Sequence, residues 1–158
     1  AEIDLKAKLW TIPALRMKKK RQHTVPLTPE TIEILEEMRV ISSRSKFIFP
    51  SEVKPLESMN SQTANMALKR MGYGGQLVSH GMRSLASTIL NDQGFAPDIV
   101  ESALAHTDKN TVRAAYNRAE YVDRRRDMMA WWSKRVCQSR ISDQSVESLS
   151  TTKQTATQ

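Results

Sequence analysis

The stretch Thr28-Pro29-Glu30-Thr31 divides this chain into two regimes. Threonine is a good helix N-cap, and proline suits the first helical position, where its missing N–H would bond nothing anyway. An acidic residue in the first turn complements the helix dipole. A helix starts here, so whatever precedes it is a different kind of structure. Upstream, Ile3 to Leu5 and Leu9 to Pro13 read as short strands, the second rich in strand formers. Thr24-Val25-Pro26-Leu27 resumes extended structure, with Pro26 suited to an edge or a strand end. Between these strands, Arg16-Met17-Lys18-Lys19-Lys20-Arg21 carries five basic residues in six and forms a charged turn. A small antiparallel sheet near the N-terminus follows.

Downstream the periodicity is helical. Ile32, Leu35 and Met38 form one stripe, to about Ser42. Phe47 to Pro50 reads as a short extended segment, and Pro55 to Ser58 as loop. Asn60 or Ser61 caps a helix through Ala64, Ala67, Leu68 and Met71 that stops at Gly72. The next helix begins at His80 and runs to about Gln93, with Gly94 as its stop. Ala96-Pro97-Asp98 opens another, with Ile99, Val100, Ala103 and Leu104 towards a core, ending near His106. Asp108 caps a helix through Thr111, Val112, Ala115 and Tyr116 towards Ala119. A last helix runs from about Tyr121 to Val136, with Trp131 and Trp132 as packing residues. From Ser139 to Gln158 Ser, Thr and Gln dominate and no apolar period survives, so this tail is expected to be disordered alone. The fold class is mainly α with a small antiparallel sheet, in one domain over residues 1–138.

Charge narrows the partners. The 158 residues carry a formal net charge of +7, with pI near 9.8. Such a balance favours a polyanion, nucleic acid first and an anionic membrane second. No apolar run approaches the ~20 residues that span a bilayer, and no secretory signal is visible. Cys137 is the only cysteine, so no disulfide forms within the chain and a reducing compartment fits. Ala1-Glu2-Ile3-Asp4 reads as mid-domain sequence, which points to a fragment.

Several residues carry possible chemistry. His80 and Arg83 stand three apart and share one helix face. An imidazole that can move a proton then sits beside a guanidinium that can fork onto phosphate oxygens. A pair at this spacing also arises by chance on ordinary surfaces. The basic turn is either solubilising or a phosphate contact. Tyr116 could be a core tyrosine, His106 a cation ending a helix, and His23 is read as structural. Three scattered histidines and one distant cysteine make no zinc pattern, and no carboxylate pair suggests a Mg²⁺ site.

Taken in order, Lys18 in a basic loop, His80 with Arg83, His106 and Tyr116 form a set. Leu9-Trp10-Thr11-Ile12-Pro13 leads to Arg16-Met17-Lys18, followed by His23-Thr24-Val25-Pro26-Leu27 and His80-Gly81-Met82-Arg83. Most specific are Leu104-Ala105-His106 and Val112-Arg113-Ala114-Ala115-Tyr116-Asn117-Arg118. Over roughly residues 1 to 135 the chain resembles the catalytic domain of tyrosine recombinases, the phage integrases, and within them those of satellite phages and genomic islands.

The resemblance implies site-specific DNA recombination through a 3′-phosphotyrosyl intermediate, with no cofactor. Tyr116 would attack phosphorus, and Tyr121 is its rival for that role. His80 would act as acid/base, Lys18 as proton donor to the 5′ oxygen, with Lys19, Lys20 and Arg21 as alternatives, and Arg83 as clamp on the phosphoryl oxygens. His106 would bond the same phosphate or brace the site. Arg16, Lys19, Lys20 and Arg21 would contact DNA. The partners implied are double-stranded attachment sites and a homo-oligomer, a tetramer on DNA, in a bacterial cytoplasm. The family carries a further catalytic arginine upstream of these strands, and the chain begins after that point, so this fragment alone is expected to be inactive. The rivals are a non-catalytic basic DNA-binding module or decayed integrase, a type IB topoisomerase, and, more distantly, a basic membrane-surface protein.

Overall fold

A computed structural model of the chain describes residues 2–106 and 118–154. It opens with a three-stranded antiparallel sheet in the order β1 (Ile3–Asp4), β2 (Leu9–Ile12), β3 (His23–Pro26). Ile3 pairs with Trp10, and Trp10 with Val25 across the central strand. A 3₁₀ turn at Ala14–Arg16 leads into the basic loop between β2 and β3. The expected sheet is present, and its hairpin lifts Lys18 to Arg21 away from the strands.

Helix α1 (Pro29–Ile41) begins where the sequence requires: Thr28 is the N-cap and its hydroxyl accepts the Thr31 N–H at 3.3 Å. Thr28 is also buried, and its Oγ1 bonds Ser133 Oγ on the last helix at 2.9 Å. One residue just after the sheet therefore starts a helix and fastens it to the last helix.

The segment expected to be extended at Phe47–Pro50 is instead one side of a small loop. It makes a single isolated bridge, Pro50 to Ser58, flanked by Met59 N–H to Phe49 O at 2.8 Å. Proline has no N–H to extend such a ladder. Helix α2 (Thr63–Leu68) has Gln62 at its N-cap position, and Asn60 Oδ1 accepts the Gln62 N–H at 2.8 Å in the turn before it. Its last turn widens into a π-helical turn at Lys69–Tyr73, with Gly72 at φ 94°.

Helices α3 (Gly81–Asp92) and α4 (Pro97–Ala103) lead to α5 (Arg118–Gln154). The sequence reading ends the last helix near Val136. The structure continues it to Gln154, and no glycine or proline lies between Arg118 and Gln154 to stop it. The helix expected from Asp108 towards Ala119 falls largely on residues 107–117, outside the described ones. No helix among the described residues is long and apolar enough to cross a membrane.

The core is small and sits where α3, α4 and α5 meet. Leu90, Ile99, Val100 and Met128 are buried there, with Phe95, Leu104, Tyr121, Trp131 and Trp132 packed around them. Phe95 meets Trp131 edge to face at 5.5 Å. Both tryptophans thus serve packing, as the sequence suggests.

Arg125 joins this core to the sheet. Its guanidinium is buried and donates to Thr24 O on β3 at 2.8 Å, to Tyr121 O at 3.1 Å and to Ser102 O near the end of α4 at 3.5 Å. Burial pushes its pKa below the ordinary arginine value, while a guanidinium stays charged in proteins. A lysine offers one point of donation and no planar fork. Arg125→Lys should therefore leave buried carbonyls unmet and cost about 1–3 kcal/mol in urea unfolding. Leu15→Ala, at a side chain 96% exposed, should stay within about 0.5 kcal/mol.

Candidate active site

The first turn of α3 carries two of the expected groups. His80 stands at the N-cap position and Arg83 one turn on, with Arg83 N–H bonded to His80 O at 3.1 Å. Both side chains are exposed, as groups that meet a large polyanion must be. The turn is held from behind by Asn65 of α2, whose Oδ1 accepts the Ser79 N–H at 2.7 Å. Asn65 Nδ2 in turn donates to Gln62 Oε1 at 3.1 Å, which orients the amide. Sequence reading missed this support. The available signal was a polar Asn inside a short helix, a residue that usually favours caps and turns.

His106 follows α4, whose end is a complete Schellman turn. His106 N–H returns to Glu101 O at 3.0 Å and Ala105 N–H to Ser102 O at 3.2 Å. The same pattern closes α3, where Phe95 N–H returns to Leu90 O at 3.2 Å and Gly94 N–H to Asn91 O at 2.9 Å. The left-handed position is Gly94 in α3, at φ 90°, but Ala105 in α4, at φ 52°. A left-handed alanine costs roughly 1–2 kcal/mol, so the turn that presents His106 is held under strain. His106 Nδ1 also lies 2.6 Å from Glu101 Oε2.

His23 ties these parts together. It is the first residue of β3, half-buried, and its ring hydrogen-bonds the Ala103 backbone at the end of α4. Burial first, then the charge of Arg125, push its pKa below the usual imidazole value. The Ala103 bond opposes that shift, and the charge of Arg83 adds to it. His23 is structural, as the sequence suggests, but in a particular place: between the sheet that holds the basic loop and the end of α4, where the charges of Arg125 and Arg83 reach it.

The basic loop lies at the tip of the β2–β3 hairpin. Lys18, Lys19, Lys20 and Arg21 are exposed, and Lys20 adopts a left-handed φ of 48°. Arg16 is engaged with Glu2, whose carboxylate also accepts Trp10 Nε1 at 3.2 Å. That contact with Arg16, then the Trp10 bond, hold the Glu2 carboxyl below its usual range. Arg16 thereby braces β2 against the chain start as well as adding charge. Tyr116 lies outside the described residues. Tyr121 is half-buried against the core, and its carbonyl receives the Arg125 guanidinium. Among the described residues no group of His, Cys, Asp or Glu could hold a metal ion.

A short antiparallel sheet with a basic hairpin loop, backed by helices whose ends present His80, Arg83 and His106, is part of a tyrosine-recombinase catalytic domain. Comparison with known proteins agrees: residues 1–122 match the phage integrase family, and the chain belongs to it. Over 135 residues it is 59% identical to the prophage integrase IntA of Escherichia coli strain K12, covering 85% of this chain and 33% of that protein. It is 35% identical over 148 residues to the integrase of Enterobacteria phage P4, covering 84% and 34%. With the integrase of Shigella phage Sf6 the identity is 34% over 132 residues, covering 83% and 34%. The chain thus spans about a third of the length of these curated relatives. No solved structure matches it significantly.

The depressed pKa of His23 makes stability depend on pH. Native His23 resists the proton, whereas the unfolded chain accepts it at the ordinary value of 6.5. Stability is therefore full above that value and falls as pH drops from it towards the lowered native pKa. His23→Gln, which cannot titrate, should flatten this loss. Urea midpoints at about pH 7 and about pH 5.5, compared between the two proteins, check it. An equal loss in both would place the acid sensitivity elsewhere.

Proposed function

We propose that this chain is the greater part of the catalytic domain of a site-specific recombinase, over residues 1–138. It would break and rejoin DNA through a 3′-phosphotyrosyl bond during integration or excision of a mobile element. Support comes chiefly from the family match together with His80, Arg83 and His106 standing exposed at helix ends.

In this reading Tyr116 Oη attacks the phosphorus. A phenol ionises near pH 10 and needs a proton acceptor at neutral pH. His80 takes or returns that proton. The 5′ oxygen leaves with a proton from Lys18, whose hairpin places it on a loop able to reach DNA. Arg83 clamps the non-bridging oxygens as negative charge grows on them. His106 bonds the same phosphate. The energy of the broken strand is stored in the phosphotyrosyl ester, so rejoining needs no nucleotide. The partners are duplex DNA and further copies of the enzyme assembled on it, and the working location is wherever bacterial DNA is handled. Arg83 would share this clamp with a second arginine that the family carries upstream of these strands. Loss of one such donor costs about 10²–10³ in rate.

In a chain extended upstream through that arginine, Tyr116→Phe should abolish covalent attachment to a nicked attachment-site duplex and leave binding intact. A denaturing gel reads the adduct. Adducts that persist in Tyr116→Phe and vanish in Tyr121→Phe would reassign the nucleophile. Binding with no adduct in the native extended protein would favour a non-catalytic DNA-binding module.

DNA affinity should fall steeply with salt, because phosphate contacts release counterions. Replacing Lys19, Lys20 and Arg21 together by Gln should flatten the slope of log K against log salt by about two to three contacts' worth. An unchanged slope would make the loop a solubilising turn.

A further inference from the structure

We infer that Glu101 is the positioning residue for His106, fixing the ring in the Nδ1–H tautomer with Nε2 turned outward. The inference rests on the reading of His106 as a site residue and adds to it a tautomer, a direction and a partner.

Two independent contacts join these residues. The His106 backbone N–H bonds the Glu101 carbonyl at 3.0 Å, and His106 Nδ1 meets Glu101 Oε2 at 2.6 Å. The first contact exists only because Ala105 takes a left-handed φ of 52° and turns the chain back over the last turn of α4. That turn also sets the ring over the Glu101 side chain. A conformation that alanine disfavours is thus used where it doubles the hold on one histidine. The other end of α4 is anchored by the buried Ile99 and Val100, and Arg125 grips the Ser102 carbonyl next to Glu101. The carboxylate therefore stands on a fixed helix rather than on a loop.

The chemistry follows from what a carboxylate can do. It accepts hydrogen bonds and donates none, so the ring nitrogen facing it must carry the proton. Nδ1 is then a donor, and in the neutral ring Nε2 is left as the acceptor. Charged, the same ring presents Nε2–H to an anionic oxygen while Glu101 balances the imidazolium. A carboxylate set against Nδ1–H is a general means of choosing a tautomer and an orientation. The contact is half exposed on both sides, so as a bare ion pair it would add little to stability. Its value lies in direction: one ring nitrogen is committed to Glu101, and in the charged ring the other is left as an Nε2–H donor for the substrate phosphate.

Glu101→Gln tests this with nearly the same shape. An amide can donate as well as accept, so it no longer forces a proton onto Nδ1. The first readout is the ¹⁵N spectrum of the ¹⁵N-histidine-labelled protein at alkaline pH, with His106→Gln used to assign the signals. Native His106 should show a protonated Nδ1 and a bare Nε2. In Glu101→Gln the ring should move towards the Nε2–H form. A native ring already in the Nε2–H form, or one unchanged in the variant, would overturn the inference. The second readout is adduct formation on the nicked duplex by the upstream-extended chain. Glu101→Gln should slow it at least about ten-fold, part of the 10²–10³ that one preorganised donor to the phosphoryl oxygens contributes, with DNA affinity and thermal midpoint unchanged. An undiminished rate would leave Glu101 a helix-end contact only and refute the positioning role. Absence of adducts in the native extended protein would count against the proposed function instead, while the spectrum would still decide what Glu101 does to the ring.

Discussion

The buried guanidinium of Arg125 is the interaction on which the rest of the structure depends. This domain has few fully buried apolar side chains among its described residues: Leu27 beside the sheet, and Leu90, Ile99, Val100 and Met128 between the helices. Neither group alone orients the sheet against the helices. Arg125 does so by donating to carbonyls of β3, α4 and its own helix. Hydrogen bonds from a charged donor are about twice as strong as neutral ones, and the planar fork constrains direction. Burying a cation is costly, and here the compensation is backbone oxygen rather than a carboxylate. Thr28 to Ser133 and Arg126 to the Ala7 carbonyl extend the same seam along α5. The long helix thus acts as a spine to which the sheet is attached by polar bonds and the short helices by apolar packing.

That arrangement explains how loosely connected elements can hold the residues of the proposed site. His80, Arg83 and His106 lie at helix ends, where side chains project to solvent, while the helix bodies carry the packing. Each end is then pinned by a residue with no chemistry of its own. Asn65 holds the turn before His80, and Ser102, next to the Glu101–His106 contact, is gripped by Arg125. His23 meets the last turn of α4 from the sheet side. Burial, and then the charges of Arg125 and Arg83, disfavour the charged form of His23, where an imidazolium would push the two guanidiniums away. The strain at Ala105 belongs to the same scheme, since left-handed non-glycine residues persist where surrounding bonds over-determine them.

Electrostatics divides between the surface and the interior. The exposed cluster from Lys18 to Arg21 gives the hairpin tip a positive field that acts at a distance and weakens with salt. Arg16, at the base of the same loop, is drawn into a local pair with Glu2 and Trp10. The neighbouring cations therefore differ in local setting: Arg16 is paired at the base of the loop and the others stand at its exposed tip. Charge alone cannot make that distinction, because a basic side chain at the base of a loop and one at its tip look the same in sequence.

Much was legible before any coordinates. Three strands, the capped start of α1 at Thr28, the stops at Gly72 and Gly94, and the opening of α4 at Pro97 all rest on local rules, caps, prolines and left-handed glycines, that act within a turn of chain. The ordered motif set identified the family, because spacing along the chain is itself what a motif is. Three things were not legible. The bridging role of Arg125 joins Thr24, Ser102 and Tyr121, which are far apart in the chain. The support given by Asn65 and the place of His23 between β3 and the end of α4 depend on which helix end faces which strand. The extent of α5 past Val136 reflects the absence of a breaker rather than the presence of an apolar stripe. Local sequence determined which elements form and where they end, since those energies are short-range. The tertiary fold alone decided which ends meet, since that depends on long-range packing and on buried polar groups finding partners that no periodicity records.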